Sequence, residues 1–328
     1  MTQSLLYQNE KSLFVVSAII SILFWILVIF GTLGVALMYG GIFYISFLFA
    51  HSALISYLKG TAVKISDKQF PDLYEQLTNC CKRLDIQEIP ETYVLHGDGA
   101  FNAFATRFLG RNFVVLFSDV VDALEKNKHA LNFYIGHELG HIHRKHLVWA
   151  PILFPALLLP LLGAAYSRAR EYTCDNYGFS CCPNPQDAIY GLAALSAGAN
   201  RWQTLQVSNY IAQAQATGGF WMSFNELIAD YPWLVKRMSR LVAMAKGETA
   251  DMPSRNLFAW LFAMFIPRIG AGAGAGGILV VIAIIGIMAA IAIPQFAAYR
   301  EKAQQQASPS LGQSMTPDSE FKLESFGQ

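Results

Sequence analysis

From Leu13 to Leu58 the chain is an apolar run with no Asp, Glu, Lys or Arg. At about 20 residues per crossing, it is long enough for two membrane helices. Gly31, Gly34, Gly40 and Gly41 mark where it can turn, which predicts a helical hairpin of roughly 13–33 and 35–57 in an N-terminal unit, 1–58. The run starts far from any cleavage-like site and continues into a second span, so a membrane anchor is expected rather than a removable signal peptide. Lys11 precedes the hairpin and Lys59, Lys64 and Lys68 follow it, while the turn itself is uncharged. That bias predicts both ends on the cytoplasmic side, together with whatever follows Lys59.

After residue 59 the pattern becomes that of a soluble unit. "DKQFPDLYEQLTNCCKRL" has helical periodicity, with Phe70, Leu73, Leu77 and Leu84 on one side, and "TYVLHG" and "NFVVLFS" read as short strands. Between them "GDGAFNAFATRFLGRN" supplies turn residues and a further strand. Ser118 is placed to N-cap "DVVDALEK", and "HALNFYIGHELGHIHRKH" predicts one helix over 129–146 that buries Leu131, Ile135 and Leu139. An apolar run, 147–166, carries Pro151, Pro155 and Pro160. A last uncharged run, Ile269 to Tyr299, opens on glycine and alanine and predicts a third span; the Gln-, Ser- and Pro-rich tail beyond it has the composition of a disordered segment.

With 54% hydrophobic and 14% charged residues, the chain is too apolar to be only a soluble domain. A net charge of +1 without any aromatic-basic stripe argues against a nucleic-acid partner. Cys80, Cys81, Cys174, Cys181 and Cys182 are odd in number and include two vicinal pairs. They read as reduced thiols facing a cytosol, not as a disulfide framework.

The chemistry centres on "HELGH", 137–141. On a helix, residues four apart share a face with Cβ atoms about 5–6 Å apart, so His137 and His141 can reach one zinc ion while Glu138 points at a water as general base. A catalytic zinc takes three protein ligands. The candidate third is Glu171 in "AYSRAREYTCDNYG", with Asp175 one turn on to hydrogen-bond a liganding histidine. Alone, that segment reads as an exposed helix with a cluster of Arg168, Arg170 and Glu171; HELGH upstream favours the ligand. The longer metzincin pattern requires glycine and histidine where Arg144 and Leu147 stand, which leaves His143 and His146 solvent or supporting roles. His51, in the second span, is either a satisfied polar group in a helix pair or a functional residue. His96 and His129 read as surface or capping residues. A zinc site of Cys174, Cys181 and Cys182 is the weaker alternative, because no second CxxC accompanies it.

Taken together, "NAFA" (102–105), "GHELGHIHRKH" (136–146), "SRAREYTCDNYG" (167–178) and "YPWLVKR" (231–237) resemble the membrane zinc metallopeptidases of the HtpX heat-shock protease and CAAX prenyl endopeptidase type. The resemblance implies an α+β zincin-like domain over 59–256, mainly helical with a small sheet, beside transmembrane helices. It implies one zinc per chain on His137, His141 and Glu171, with Glu138 activating water and Asp175 supporting the ligands. It further implies that Asn102, Ala103, Phe104 and Ala105 form an edge on which an extended protein or peptide substrate adds as a strand. In such relatives the last motif commonly reads His-Pro followed by Arg; here Tyr231 precedes Pro232, with Arg237 kept, and the resemblance implies that Tyr231 and Arg237 join Glu138 in the catalytic set. A tyrosine hydroxyl can serve the developing oxyanion, or the ring can simply pack beside Trp233.

A second departure is the single apolar run at 147–166, where HtpX-like chains have two spans. One crossing would put Glu171 across the bilayer from His141, so the run must fold back as two short helices that are re-entrant or apposed to the membrane. Within the segment 257–299, "VVIAIIGIMAAIAIPQFAAYREKAQ" resembles the N-terminal helix of type IV pilins but lacks their leader-cleavage signature. It is expected to be an unprocessed anchor with small residues at its interface, or a helix that packs with pilin-like membrane proteins. The polar tail occupies 300–328. The resulting expectation is a multi-pass inner-membrane zinc endopeptidase that contacts lipid and faces the cytoplasm, the alternative being a non-cleaving adaptor for pilin-like proteins.

Overall fold

A computed structural model of the chain describes residues 5–97, 102–266, 294 and 296–304. The chain divides into two compact units, Met1–Ala271 and Gly272–Gln328. In the second unit the described residues are helical. The expected third span lies almost wholly outside the described residues, as does most of the polar tail.

Two long helices open the first unit, α1 (Glu10–Gly31) and α2 (Val35–Thr61). Both are long and apolar enough to cross a membrane and leave most side chains exposed. After β1 (Val63–Lys64) comes α3 (Pro71–Arg83), which starts on proline and buries Leu73, Leu77, Cys80 and Cys81. Next are β2 (Glu91–Leu95), β3 (Ala103–Phe108) and β4 (Arg111–Phe117). The sheet order is β1-β2-β4-β3, with β2 and β4 parallel and the outer pairs antiparallel. β3 and β4 form a hairpin whose two turn residues, Leu109 and Gly110, both have positive φ. The β4 run "FVVL" is apolar throughout because both of its faces are covered. Phe113 and Val115 pack with Ile55 and Leu58 of α2, while Val114 and Leu116 enter the main core.

Ser118 begins α4 (Ser118–Ala123) without capping it; its hydroxyl meets His96 instead. The helix expected over 129–146 is two elements, α5 (Leu131–His143) and α6 (His146–Leu157). They are separated by Lys145, whose φ of 57° ends the first. α5 is buried on all sides from Leu131 to Gly140. α6 runs through Pro151 and Pro155 without breaking, and α1 supplies further hydrogen-bond partners for its backbone. Ser21 accepts from the Ala156 N–H and donates to the Leu153 carbonyl, each at 3.1 Å, and the Trp25 indole donates to the Ile152 carbonyl at 2.9 Å. The chain turns at 158–161 into α7 (Leu162–Cys181). The apolar run therefore does fold back, but its return arm is the start of the helix that carries Glu171 rather than a separate short helix.

The rest is α8 (Pro185–Ala197), α9 (Val207–Ala212), α10 (Phe220–Ile228), α11 (Leu234–Lys246) and α12 (Leu257–Ala263). α8 and α11 close the main core around α5, while α12 packs on α10 through Ala259, Ala263 and Leu227.

Candidate metal centre

The pattern G-H-E-L-G-H interleaves two glycines with the histidines. A Cβ on Gly136 would lie 2.7 Å from Cys181 Sγ and 2.9 Å from Gly178 Cα, and one on Gly178 would lie 2.5 Å from the Phe133 carbonyl. Gly140 is less tight but still close, 3.2 Å from Cys174 Cα. Only small residues let α5 and α7 approach this closely, and the approach brings the ligands of one helix to the acid of the other.

His137 Nε2 lies 3.3 Å from Glu171 Oε2 and His141 Nε2 lies 3.5 Å from Glu171 Oε1. Three donors thus converge from two helices. On the far side of its ring, His137 Nδ1 is 3.1 Å from Asp175 Oδ1, and Arg237 from α11 grips Asp175 through two bonds of 2.9 and 2.6 Å. His141 Nδ1 is 3.1 Å from His146 Nδ1, whose Nε2 is 3.2 Å from Glu10. Each histidine is therefore held at Nδ1, leaving Nε2 for a metal. Arg168 and Glu171 are buried, so the bland reading of an exposed charge cluster does not hold.

The electrostatics favour a cation. Burial opposes a charge on His137, but its bonds to Asp175 and Glu171 outweigh that and push it up to about 10. Burial also works against ionised Glu171, yet the bond and the charge of His137 help to hold it well below the usual carboxylate range. Glu138 feels burial most and is pushed up to about 7, with the backbone of Ala105 supporting its charged form. Two imidazoles and a carboxylate in a pocket that draws positive charge fit zinc.

Cys174 can also approach a metal, since its sulfur clusters within 4.8 Å of donor atoms from His137 and His141. It sits 3.9 Å from His146 Nδ1, the atom that faces the back of the His141 ring, and burial keeps the thiol protonated. Glu171 faces both Nε2 atoms, so two candidate third donors, Glu171 and Cys174, stand beside the histidine pair. Among the described residues, Cys181 and Cys182 are not part of this group.

Tyr231 is exposed, and chiefly the charge of Glu171 pushes its hydroxyl up to about 12, so it remains a donor. Its loop is tied to α7 by Arg168, which donates to the carbonyls of Glu226, Leu227 and Ala229. Glu226, fully buried, holds Lys236 at 2.6 Å and Arg255 at 3.2 Å. This support, like Glu10, was not anticipated from the sequence. His51 meets Thr106 of β3 at 3.0 Å rather than a partner on a neighbouring helix. His143 bonds the Tyr177 hydroxyl at 2.8 Å. Ala103, Phe104 and Ala105 lie on β3, which pairs only with β4 among the described residues; Asn102 immediately precedes the strand.

Residues 67–161 match the profile of Peptidase family M48, a span that holds HELGH and stops short of Glu171. The plastoglobule-localized metallopeptidase 48, chloroplastic, of Arabidopsis thaliana is 28% identical over 174 residues, covering 48% of this chain and 49% of that protein. The chain thus spans about half the length of this relative. No solved structure matches. These similarities, with the donor set, support a metallopeptidase.

Proposed function

We propose that the protein is a membrane-bound zinc endopeptidase that hydrolyses peptide bonds of membrane or unfolded proteins in quality control or processing. The observation that carries this reading is the convergence of His137, His141 and Glu171 at 3.3 and 3.5 Å, beside a Glu138 held near neutrality. Zinc at these donors would polarise the scissile carbonyl and acidify a water. Glu138 takes the proton of that water and delivers it to the leaving amine, a role suited to a carboxyl near pH 7. The edge of β3, which pairs with no second strand among the described residues, adds the substrate as a strand through Asn102, Ala103, Phe104 and Ala105, and the contact between Ala105 and Glu138 joins that edge to the base. Tyr231 donates to the oxyanion as the carbonyl becomes tetrahedral. Arg237 acts through Asp175, holding it against His137.

The exposed apolar surfaces of α1 and α2 support a bilayer anchor, with the peptidase domain on the cytoplasmic side. A reporter fused after Lys59 tests that orientation: cytoplasmic activity supports it and periplasmic activity refutes it. Cleavage of casein by purified wild type, set against His141→Ala, tests the enzymatic reading. The second reading, a non-cleaving adaptor for pilin-like proteins, draws on Tyr231 standing where relatives carry histidine. Exchanging 278–293 for an unrelated apolar span tests the pilin-like association, which fails if every client interaction survives.

A further inference from the structure

Glu10 is the last acidic residue before the long uncharged run, yet it is 1% exposed. Its Oε1 meets His146 Nε2 at 3.2 Å and Arg144 Nε at 3.3 Å, and the Thr173 hydroxyl stands beside the same buried carboxylate. A buried carboxylate at the start of an apolar helix is costly, so its presence calls for a local reason.

We propose that Glu10 is a positioning residue of the metal centre, which fixes the tautomer and orientation of His141 through His146. The proposal rests on the zinc-site reading above. An ionised carboxylate only accepts, so His146 carries its proton on Nε2 and donates it to Glu10. A neutral imidazole then has a lone pair at Nδ1, which faces His141 Nδ1 at 3.1 Å and obliges that atom to donate. His141 is left with its Nε2 lone pair directed to where Glu171 Oε1 lies, 3.5 Å away. With both imidazoles neutral and Glu10 ionised against Arg144, these proton positions pair a donor with an acceptor at each ring contact of His146 and leave the His141 Nε2 lone pair to a metal.

Glu10 reaches this place because the segment ahead of α1 is strapped along α7. The Tyr7 N–H donates to Thr173 Oγ1 at 3.0 Å and Asn176 donates to the Leu5 carbonyl at 2.9 Å. The Tyr7 ring lies 5.0 Å from that of Tyr172, with Arg240 over both. The N-terminal anchor is thereby part of the site and not only its tether.

The test uses the full chain in detergent and measures zinc affinity by competition with a chromophoric chelator. Loss of an outer hydrogen-bond partner weakens metal binding by about 10–100-fold. Glu10→Gln and His146→Asn are each expected to weaken zinc to that extent, and the double variant to be no weaker than His146→Asn, since both cut one chain. Glu10→Asp should recover part of the loss, and Lys11→Gln should change nothing. The zinc-free thermal midpoint of Glu10→Gln should stay near wild type, separating positioning from folding. Wild-type affinity in Glu10→Gln, or fully additive losses in the double variant, overturns the proposal. Should Glu10→Gln not fold, unaltered affinity in His146→Asn overturns it equally. A wild type that binds no zinc overturns the metallopeptidase reading as well, whereas a tight wild type with indifferent variants overturns this proposal alone.

Discussion

The two histidines of HELGH are one turn apart on α5 but are held in opposite ways. His137 rests directly on Asp175, a residue of the neighbouring buried helix locked from behind by Arg237, whose side chain is almost fully buried. His141 rests on a second histidine and then on Glu10, a residue 136 positions from His146, with Arg144 one-third exposed at the end of the chain. The first support is built into the core, so removing it damages both fold and site. The second is assembled from the N-terminal strap and can fail while the core survives.

The largest expected effect removes what both supports serve. Glu171→Ala should abolish stoichiometric zinc, read by atomic absorption after dialysis, because two imidazoles alone do not complete the ligand set. Retained stoichiometry would instead point to Cys174 as the third ligand. Next is Asp175→Asn, which leaves Arg237 buried without its counter-charge. Breaking such a pair costs about 3–5 kcal/mol, so the thermal midpoint should fall together with zinc affinity. Equal stability losses in Asp175→Asn and Glu10→Gln would erase the contrast between the two supports. Tyr231→Phe should lower kcat by about 10²–10³ if the hydroxyl serves the oxyanion, with KM little changed. Tyr231→His should keep activity, and an indifferent Tyr231→Phe would reduce the ring to packing.

Smaller still is Gly140→Ala, which places a methyl 3.2 Å from Cys174 Cα and should cost about 1–3 kcal/mol by overpacking, seen in denaturant midpoints. The gentlest probe is pH. Burial raises Glu138 to about 7 and the base acts ionised, so kcat/KM should be present above that value and decline as pH falls through it. A nearby cation favours the carboxylate and moves that limb only downward.

Much of the placement of the α5 and α7 side chains was legible because helical spacing is local: positions 137 and 141, and then 171 and 175, fall on common faces by the geometry of one helix each. The apolar run at 147–166 was legible as a fold-back from the requirement that one metal meet both helices. The turn falls at 158–161, where Pro160 stands, while α6 passes Pro151 and Pro155 with Ser21 and Trp25 of another helix bonded to its backbone at Ile152, Leu153 and Ala156, contacts that the local sequence does not show. Glu10 was illegible for a related reason. Nothing near it in the chain marks it as different from a flanking surface acid, and only the tertiary contact with His146 does so. Ser118 has the composition of a cap, yet its hydroxyl meets His96.

The most direct test of the central claim compares zinc content and casein hydrolysis for wild type and Glu138→Gln, both in detergent. The account predicts equal zinc in both and cleavage by wild type alone. Equal zinc with no cleavage by either protein, across a range of unfolded membrane substrates, would contradict it and favour the adaptor.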